Sequence, residues 1–246
     1  MTDLKKKEQA DIDFYRDSEH ESPQADSLGN LFNKMADCAV FFEAIQPYDH
    51  IFKKCSNALE MGGGQGWASA LVKKLYPGIE ITLTDISSYA IESKGKWEKI
   101  FNTKIDHSYD CRSYCTKEED ESQDLVFCFA SAHHFVKQKR SLEEIFRILK
   151  KDGTCLYLHE PSSSGLFYGP AYRRVNKKRP VVEEDVLIHS RIKSIAKEVG
   201  FECDIHFDAS VTKRGPLEGL YYLTLGRLPF FQRILPCTAD FLFIKH

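Results

Sequence analysis

The stretch LEMGGGQGWAS, residues 59–69, constrains this chain more than any other. It places glycine at 62, 63, 64 and 66, directly behind a short apolar run. Ordered glycine costs more backbone entropy than any other residue, so such a cluster belongs where a Cβ would be in the way or where φ must be positive. A strand that enters a glycine turn and leaves as a helix carries bare backbone to the carboxyl end of a sheet, where ligands bind. Taken alone, the cluster also fits a plain tight strand-to-helix connection.

The flanking pattern supplies that strand and helix and then repeats them. NALEM (57–61) reads as a buried strand, and WASALVKKLYP as a helix closed by Pro77 and Gly78. IEITLTD is a β-branched strand ending at Asp85, followed by a helix that starts on a serine cap. TKIDHSYDC is a weaker strand and DLVFCFA a strong buried one. SLEEIFRILKKDG predicts a helix with Ser141 and Glu144 as a capping box and Gly153 at its end. TCLYLHEP is the next strand, EEDVLIHSRIKSIAKEVG a helix with acids at its start, and FECDIHFDA and ADFLFIKH are closing strands. Strands alternating with helices predict an α/β protein with a doubly wound, mostly parallel sheet and helices on both faces.

Around this core the chain divides into a polar arm at 1–26, expected to be loosely packed, and one domain over 27–246. Within the domain, 27–56 is an N-terminal helical cap, 57–160 the core, 161–185 an irregular insert, and 186–246 the rest of the sheet. The aromatic-rich segment 216–235 suits either a core helix or a lid.

Composition narrows the function. The chain has 246 residues and a net charge of −2, which disfavours a protein that coats nucleic acid. No run approaches the ~20 apolar residues of a membrane helix, and the charged N-terminal segment is unlike a secretory signal, so a cytoplasmic protein is expected. Eight cysteines form no CxxC pair and read as reduced thiols. No carboxylate cluster with metal-ligand spacing stands out, so no metal is expected.

Spacing separates the two cofactor classes that use a glycine turn. In a dinucleotide GxGxxG started at Gly62, the third glycine position is Trp67; started at Gly64, it is Ser69. What fits is GxGxG at Gly62, Gly64 and Gly66, preceded by Glu60 and followed by Asp85 at the end of the next strand. This pattern resembles the class I S-adenosylmethionine-dependent methyltransferases with the Rossmann-like fold. The resemblance covers residues 57–160 well and the remainder in its order of elements.

The resemblance implies a seven-stranded sheet whose last strand, ADFLFIKH, is antiparallel, with S-adenosyl-L-methionine as cofactor. It places Gly62, Gly64 and Gly66 along the methionine and ribose, Glu60 at the methionine ammonium, and Asp85 on the ribose hydroxyls. Ile86 would pack on the adenine, Asp110 and Cys111 would lie near the adenine amine, and Ala130 would touch the cofactor. The helical cap with Phe41 and Phe42 would close over it. Asp85 alone also suits a helix cap, and Asp110 a turn.

If the acceptor is a hydroxyl, a base must take its proton. His133 and His134 follow the fourth strand at the methyl-donating end, with an imidazole pKa suited to that role and a lean toward His133. His159 and Glu160, ending the fifth strand, are alternates. The basic run at 172–180, with Arg173, Arg174, Lys177, Lys178 and Arg179, reads either as a solvated loop or as a clamp for an anionic group on the acceptor. The favoured function is O-methylation of a small-molecule or saccharide acceptor. The alternatives are a nucleic-acid methyltransferase, disfavoured by charge and by the lack of an NPPY-like or Pro-Cys signature, and a non-catalytic cofactor-binding scaffold.

Overall fold

The computed structural model describes residues 3–18, 22, 25, 27–177 and 184–246. Helices α1 (Asp3–Asp17), α2 (Leu28–Ile45) and α3 (Asp49–Phe52) precede the sheet. The alternating core follows as β1 (Asn57–Met61), α4 (Trp67–Leu75), β2 (Glu80–Asp85), α5 (Ser88–Glu92), α6 (Lys94–Phe101), β3 (His107–Asp110) and β4 (Gln123–Phe129). It continues through α7 (Gln138–Ile148), β5 (Leu149–Ser163), α8 (Tyr168–Asn176), β6 (Leu187–Ile188) and α9 (His189–Val199). The remaining elements are β7 (Phe201–Asp208), α10 (Pro216–Arg227), α11 (Pro229–Gln232) and β8 (Cys237–Lys245).

The main path of the sheet runs β3-β2-β1-β4-β5-β8-β7, with β6 added beside β5. Strands β1 to β6 pair in parallel, and β8 runs antiparallel to both neighbours. The doubly wound sheet with its antiparallel last strand is thus present, and β6 is an eighth strand beyond the seven expected.

Successive strand residues face opposite sides, and the sequence uses that period to build two cores. Ala58, Leu125, Phe127, Leu156 and Leu158 join the helices α2 to α6 on one face. Leu59, Val126, Cys128, Cys155 and Tyr157 join α7 and α9 on the other. The helical cap is part of the first core. The Phe41 ring is fully buried and packs edge-on against Trp67 and Phe129 at centroid distances of 5.7 and 5.4 Å. Phe42 is exposed. Neither ring lines the cavity at the carboxyl ends of the strands, which corrects their expected place over the cofactor.

Several local expectations change as well. Residues 3–17 form α1 rather than a loose arm, and its buried Glu8 carboxylate accepts from Arg112 Nε and the Tyr114 hydroxyl. Ser141 and Glu144 form no capping box, because α7 begins three residues earlier. The Ser141 hydroxyl bonds that of Ser113, and Glu144 accepts from Thr116 and Arg147. Gly153 does not end that helix. It lies within β5, where a Cβ would meet the Lys150 carbonyl oxygen at 2.8 Å. The insert at 161–185 contains the end of β5 and α8, and α9 starts at His189, so Glu184 and Asp185 are not its acidic first turn. The predicted serine cap is present at Ser87, and Gly200 ends α9 with φ of +112°.

Removing the Phe41 ring leaves a void between the cap and the sheet. We expect Phe41→Ala to lower the unfolding free energy by about 3–5 kcal/mol. Urea unfolding followed by circular dichroism measures this, and a loss below about 1 kcal/mol would show that the cap does not need the ring.

Candidate active site

The strand order reverses between β1 and β4, and a crevice at the carboxyl ends of the strands opens at such a switch point. A cavity of about 1120 Å³ lies there. That exceeds the usual range for one small ligand, ~300–1,000 Å³, and leaves room for a cofactor and a second molecule together.

The glycine turn forms the floor of one end. Gly62, Gly64 and Gly66 all have positive φ, at +73°, +54° and +77°. Gly63 is required for clearance, since a Cβ there would collide with Leu83 and lie 2.6 Å from Glu60 Cδ. Gly62, Gly63 and Gly64 line the cavity, whereas Gly66 opens α4 and packs against Leu83. The spacing motif thus placed Gly66 at the ligand and passed over Gly63, which a motif written in alternating glycines treats as free.

Two acids face this end, Glu60 buried and Asp85 half-buried. Glu60, at 2% exposure, accepts from the backbone N–H and hydroxyl of Ser69. Burial pushes its carboxyl up to about 7 against the opposing pull of Ser69. Asp85 ends β2 and accepts from Gly64 N–H at 2.8 Å and Ser87 N–H at 2.9 Å, so one carboxylate ties the glycine turn to the start of α5. Burial raises its pKa also. Carboxylates held up by desolvation are neutralised by a cation, which is the charge type a sulfonium and an ammonium would bring. Ile86, Tyr89, Ala90 and Cys111 continue this wall. Asp110 does not: it is exposed on β3 and points away from the side on which Cys111 lies.

The other end is built by the loop after β4. Ala130 lines the cavity in a left-handed conformation, with φ of +47°. Glu160, fully buried on β5, accepts from the N–H groups of Ser131, Ala132 and His133 and holds the loop in place. It also accepts from His133 Nδ1 at 2.7 Å. A carboxylate can only accept, so Nδ1 carries the ring proton and Nε2 keeps the lone pair. His134 lines the same wall, with ring centroids 4.2 Å apart, and Glu184 stands beside both. Glu160 itself is not on the cavity surface.

His159 also lines the cavity, in a left-handed conformation with φ of +57°, its ring stacked on Phe129. Its N–H donates to Asp240, and its Nδ1 lies 3.3 Å from Asp208. Burial, reinforced by the neighbouring Asp208, raises Asp240 to about 7.

The third wall comes from the insert and α10. Arg174 lines it, over the Tyr221 ring and 3.1 Å from Glu218. Arg173 is exposed and off the cavity, because neighbouring helical residues diverge by about 100°. Lys177 lines the cavity, and Lys178 and Arg179 lie outside the described residues. Arg214, Tyr221 and Tyr222 complete the wall, so α10 borders the site.

An open sheet in this order with one antiparallel strand, a glycine turn after β1 and a carboxylate ending β2 defines the Rossmann-like class of S-adenosylmethionine-dependent methyltransferases. Residues 59–157 match the family described as a methyltransferase domain, a match that supports an S-adenosylmethionine-dependent methyltransferase of this fold. A comparison with curated proteins finds no match.

Solved structures share the fold at low identity. An Archaeoglobus fulgidus SAM-dependent methyltransferase is 16% identical with a TM-score of 0.59, over 89% of this chain and 100% of that one. Bacillus subtilis YcgJ is 14% identical with a TM-score of 0.58, over 80% of this chain and 99% of that one. A Haemonchus contortus phosphoethanolamine N-methyltransferase 2, solved with phosphomonomethylethanolamine and S-adenosylhomocysteine, is 14% identical with a TM-score of 0.59, over 95% and 59% of the two chains.

The raised Glu60 carboxyl has a consequence for stability. Between its ordinary value of 4.5 and about 7, the native chain holds a proton that the unfolded chain releases, so Glu60 removes stability from the ligand-free protein as pH rises through that window. Glu60→Gln should therefore raise the thermal midpoint more at pH 8 than at pH 5. An equal change at both values would mean that Glu60 does not titrate in this way.

Proposed function

We propose that the protein transfers the methyl group of S-adenosylmethionine to a hydroxyl of a small-molecule or saccharide acceptor, with His133 as the proton acceptor. The observation that carries this reading is His133 in the cavity wall with the buried Glu160 carboxylate bonded behind it. A cofactor-binding scaffold has no need of an imidazole whose tautomer is set by a buried carboxylate.

Bound at the glycine turn, S-adenosylmethionine supplies an electrophilic methyl group with a neutral thioether as leaving group. Gly62, Gly63 and Gly64 let the backbone approach it, Glu60 balances its ammonium, Asp85 accepts from the ribose hydroxyls, and Ile86 and Cys111 flank the adenine. The opposite wall aligns the acceptor, which is much of the catalysis for an in-line displacement. As the acceptor oxygen bonds to carbon, His133 Nε2 takes its proton, and Glu160 steadies the imidazolium through Nδ1.

The anion clamp narrows to Arg174 with Lys177. Arg174 is half exposed and its pair with Glu218 is of the surface kind, worth ~0–1 kcal/mol, so an anionic acceptor group can displace Glu218 at little cost. The eight cysteines are free thiols, which fits a reducing compartment such as the cytoplasm. Among the described residues no helix is long and apolar enough to cross a membrane.

Calorimetry with S-adenosylmethionine, S-adenosylhomocysteine and NAD tests the cofactor. The two adenosyl-sulfur ligands should bind and NAD should not. Asp85→Ala should weaken binding by about 2–3 kcal/mol, the scale of a hydrogen bond to a charged group. Binding equal to the parent would overturn the ribose assignment.

A panel of hydroxyl acceptors, followed by formation of S-adenosylhomocysteine, tests the chemistry. His133→Ala should lower kcat by about 10²–10⁴-fold while cofactor affinity is retained. Arg174→Gln should raise KM for an anionic acceptor and leave kcat in place. A His133→Ala enzyme as fast as the parent would end the base assignment.

A further inference from the structure

The loop after β4 and the segment after α8 bring three metal-ligating side chains together. His133, His134 and Glu184 each present one ligand atom, all within 4.8 Å of one another. His134 Nε2 lies 3.6 Å and His133 Nε2 3.9 Å from Glu184 Oε1. Both gaps are too long for hydrogen bonds. Two ligands on one tetrahedral zinc ion, at ~2.0–2.1 Å from the metal, stand about 3.4 Å apart, so small side-chain movements close the set onto an ion.

The surroundings favour ligation. His133 is 6% exposed and its Nδ1 is committed to Glu160, which leaves Nε2 aimed toward Glu184. A carboxylate behind a ligating histidine is the usual outer partner at such sites, fixing ring orientation and raising basicity. Glu184 is also held: its N–H donates to Asn176 Oδ1 and its carbonyl accepts from Asn176 Nδ2, both at 2.8 Å. Two imidazoles and one carboxylate suit zinc and its neighbours over magnesium or calcium, which prefer all-oxygen sets.

We propose that His133, His134 and Glu184 form a binding site for a divalent transition metal of the zinc class, and that metal occupancy withdraws His133 from proton transfer. The second part rests on His133 being the proton acceptor. The imidazole has a single lone pair outside its bond to Glu160, and that pair holds either the acceptor's proton or the ion. Metal level would then regulate the same cavity that carries the methyl transfer.

The test uses the full chain, stripped of metal by a chelator and without cofactor or acceptor. Zinc titrated calorimetrically should bind at one ion per chain, and cobalt should give visible absorption bands from nitrogen and oxygen ligands. His134→Ala and Glu184→Gln should each weaken zinc binding at least tenfold while the circular dichroism spectrum is kept, and His107→Ala should leave it unchanged. The carbon-bound ring proton resonances of His133, followed by NMR at a fixed pH, should move on zinc addition and reach their end point at one ion per chain.

Zinc affinity unaltered in both ligand variants, or a cobalt–thiolate band, would overturn the site and leave the base assignment standing. Zinc binding that leaves the His133 ring resonances unmoved would overturn the exclusion. Full activity of His133→Ala would instead remove the base assignment and leave the metal site intact.

Discussion

The carboxylate of Glu160 is the interaction on which the histidine end of the cavity depends. It sits on β5, at the centre of the sheet, with no exposure and four donors: three consecutive backbone N–H groups and one imidazole. The loop after β4 thereby inherits the rigidity of a strand. An uncompensated buried charge is costly, and here hydrogen bonds meet that cost while positioning His133 in the cavity wall. The fold supplies the site at this end through one side chain.

At the glycine-turn end the logic is inverted. Glu60 is buried and Asp85 half-buried next to a cavity, and their pKa values rise because desolvation outweighs the hydrogen bonds they accept. The ligand-free protein therefore holds a charge deficit that a cationic ligand relieves. Glycine makes this possible mechanically. Three residues at positive φ turn the chain sharply, and the bare Cα of Gly63 leaves space for the Glu60 side chain beneath it.

The sheet was legible because its signals are local. NALEM is β1 residue for residue, and Asp85 lies at the end of β2 where the strand pattern set it. Errors arose where tertiary pairing overrode local rules. Ser141 and Glu144 have capping spacing, yet their oxygens serve the loop at 113–116, and α7 starts earlier. Arg173 and Asp110 fit motifs by residue type but fall on the wrong face of their elements, where alternation or helical rotation was the deciding signal. Glu160 was legible as a strand-end acid, although its place behind the histidine was not. Glu184 had no local signature at all, because it reaches the histidines through Asn176 and the end of a helix rather than through spacing.

Ala130, just after β4, and His159, at an irregularity within β5, both hold left-handed backbone, and both line the cavity. A non-glycine residue in that region stores on the order of 1–3 kcal/mol, which the surrounding pairing must hold in place. Two such residues side by side make the rim of the cavity the natural first point of local opening. Variants selected only for higher melting temperature would tend to relax this rim, and would trade away the arrangement that gives the cavity its shape.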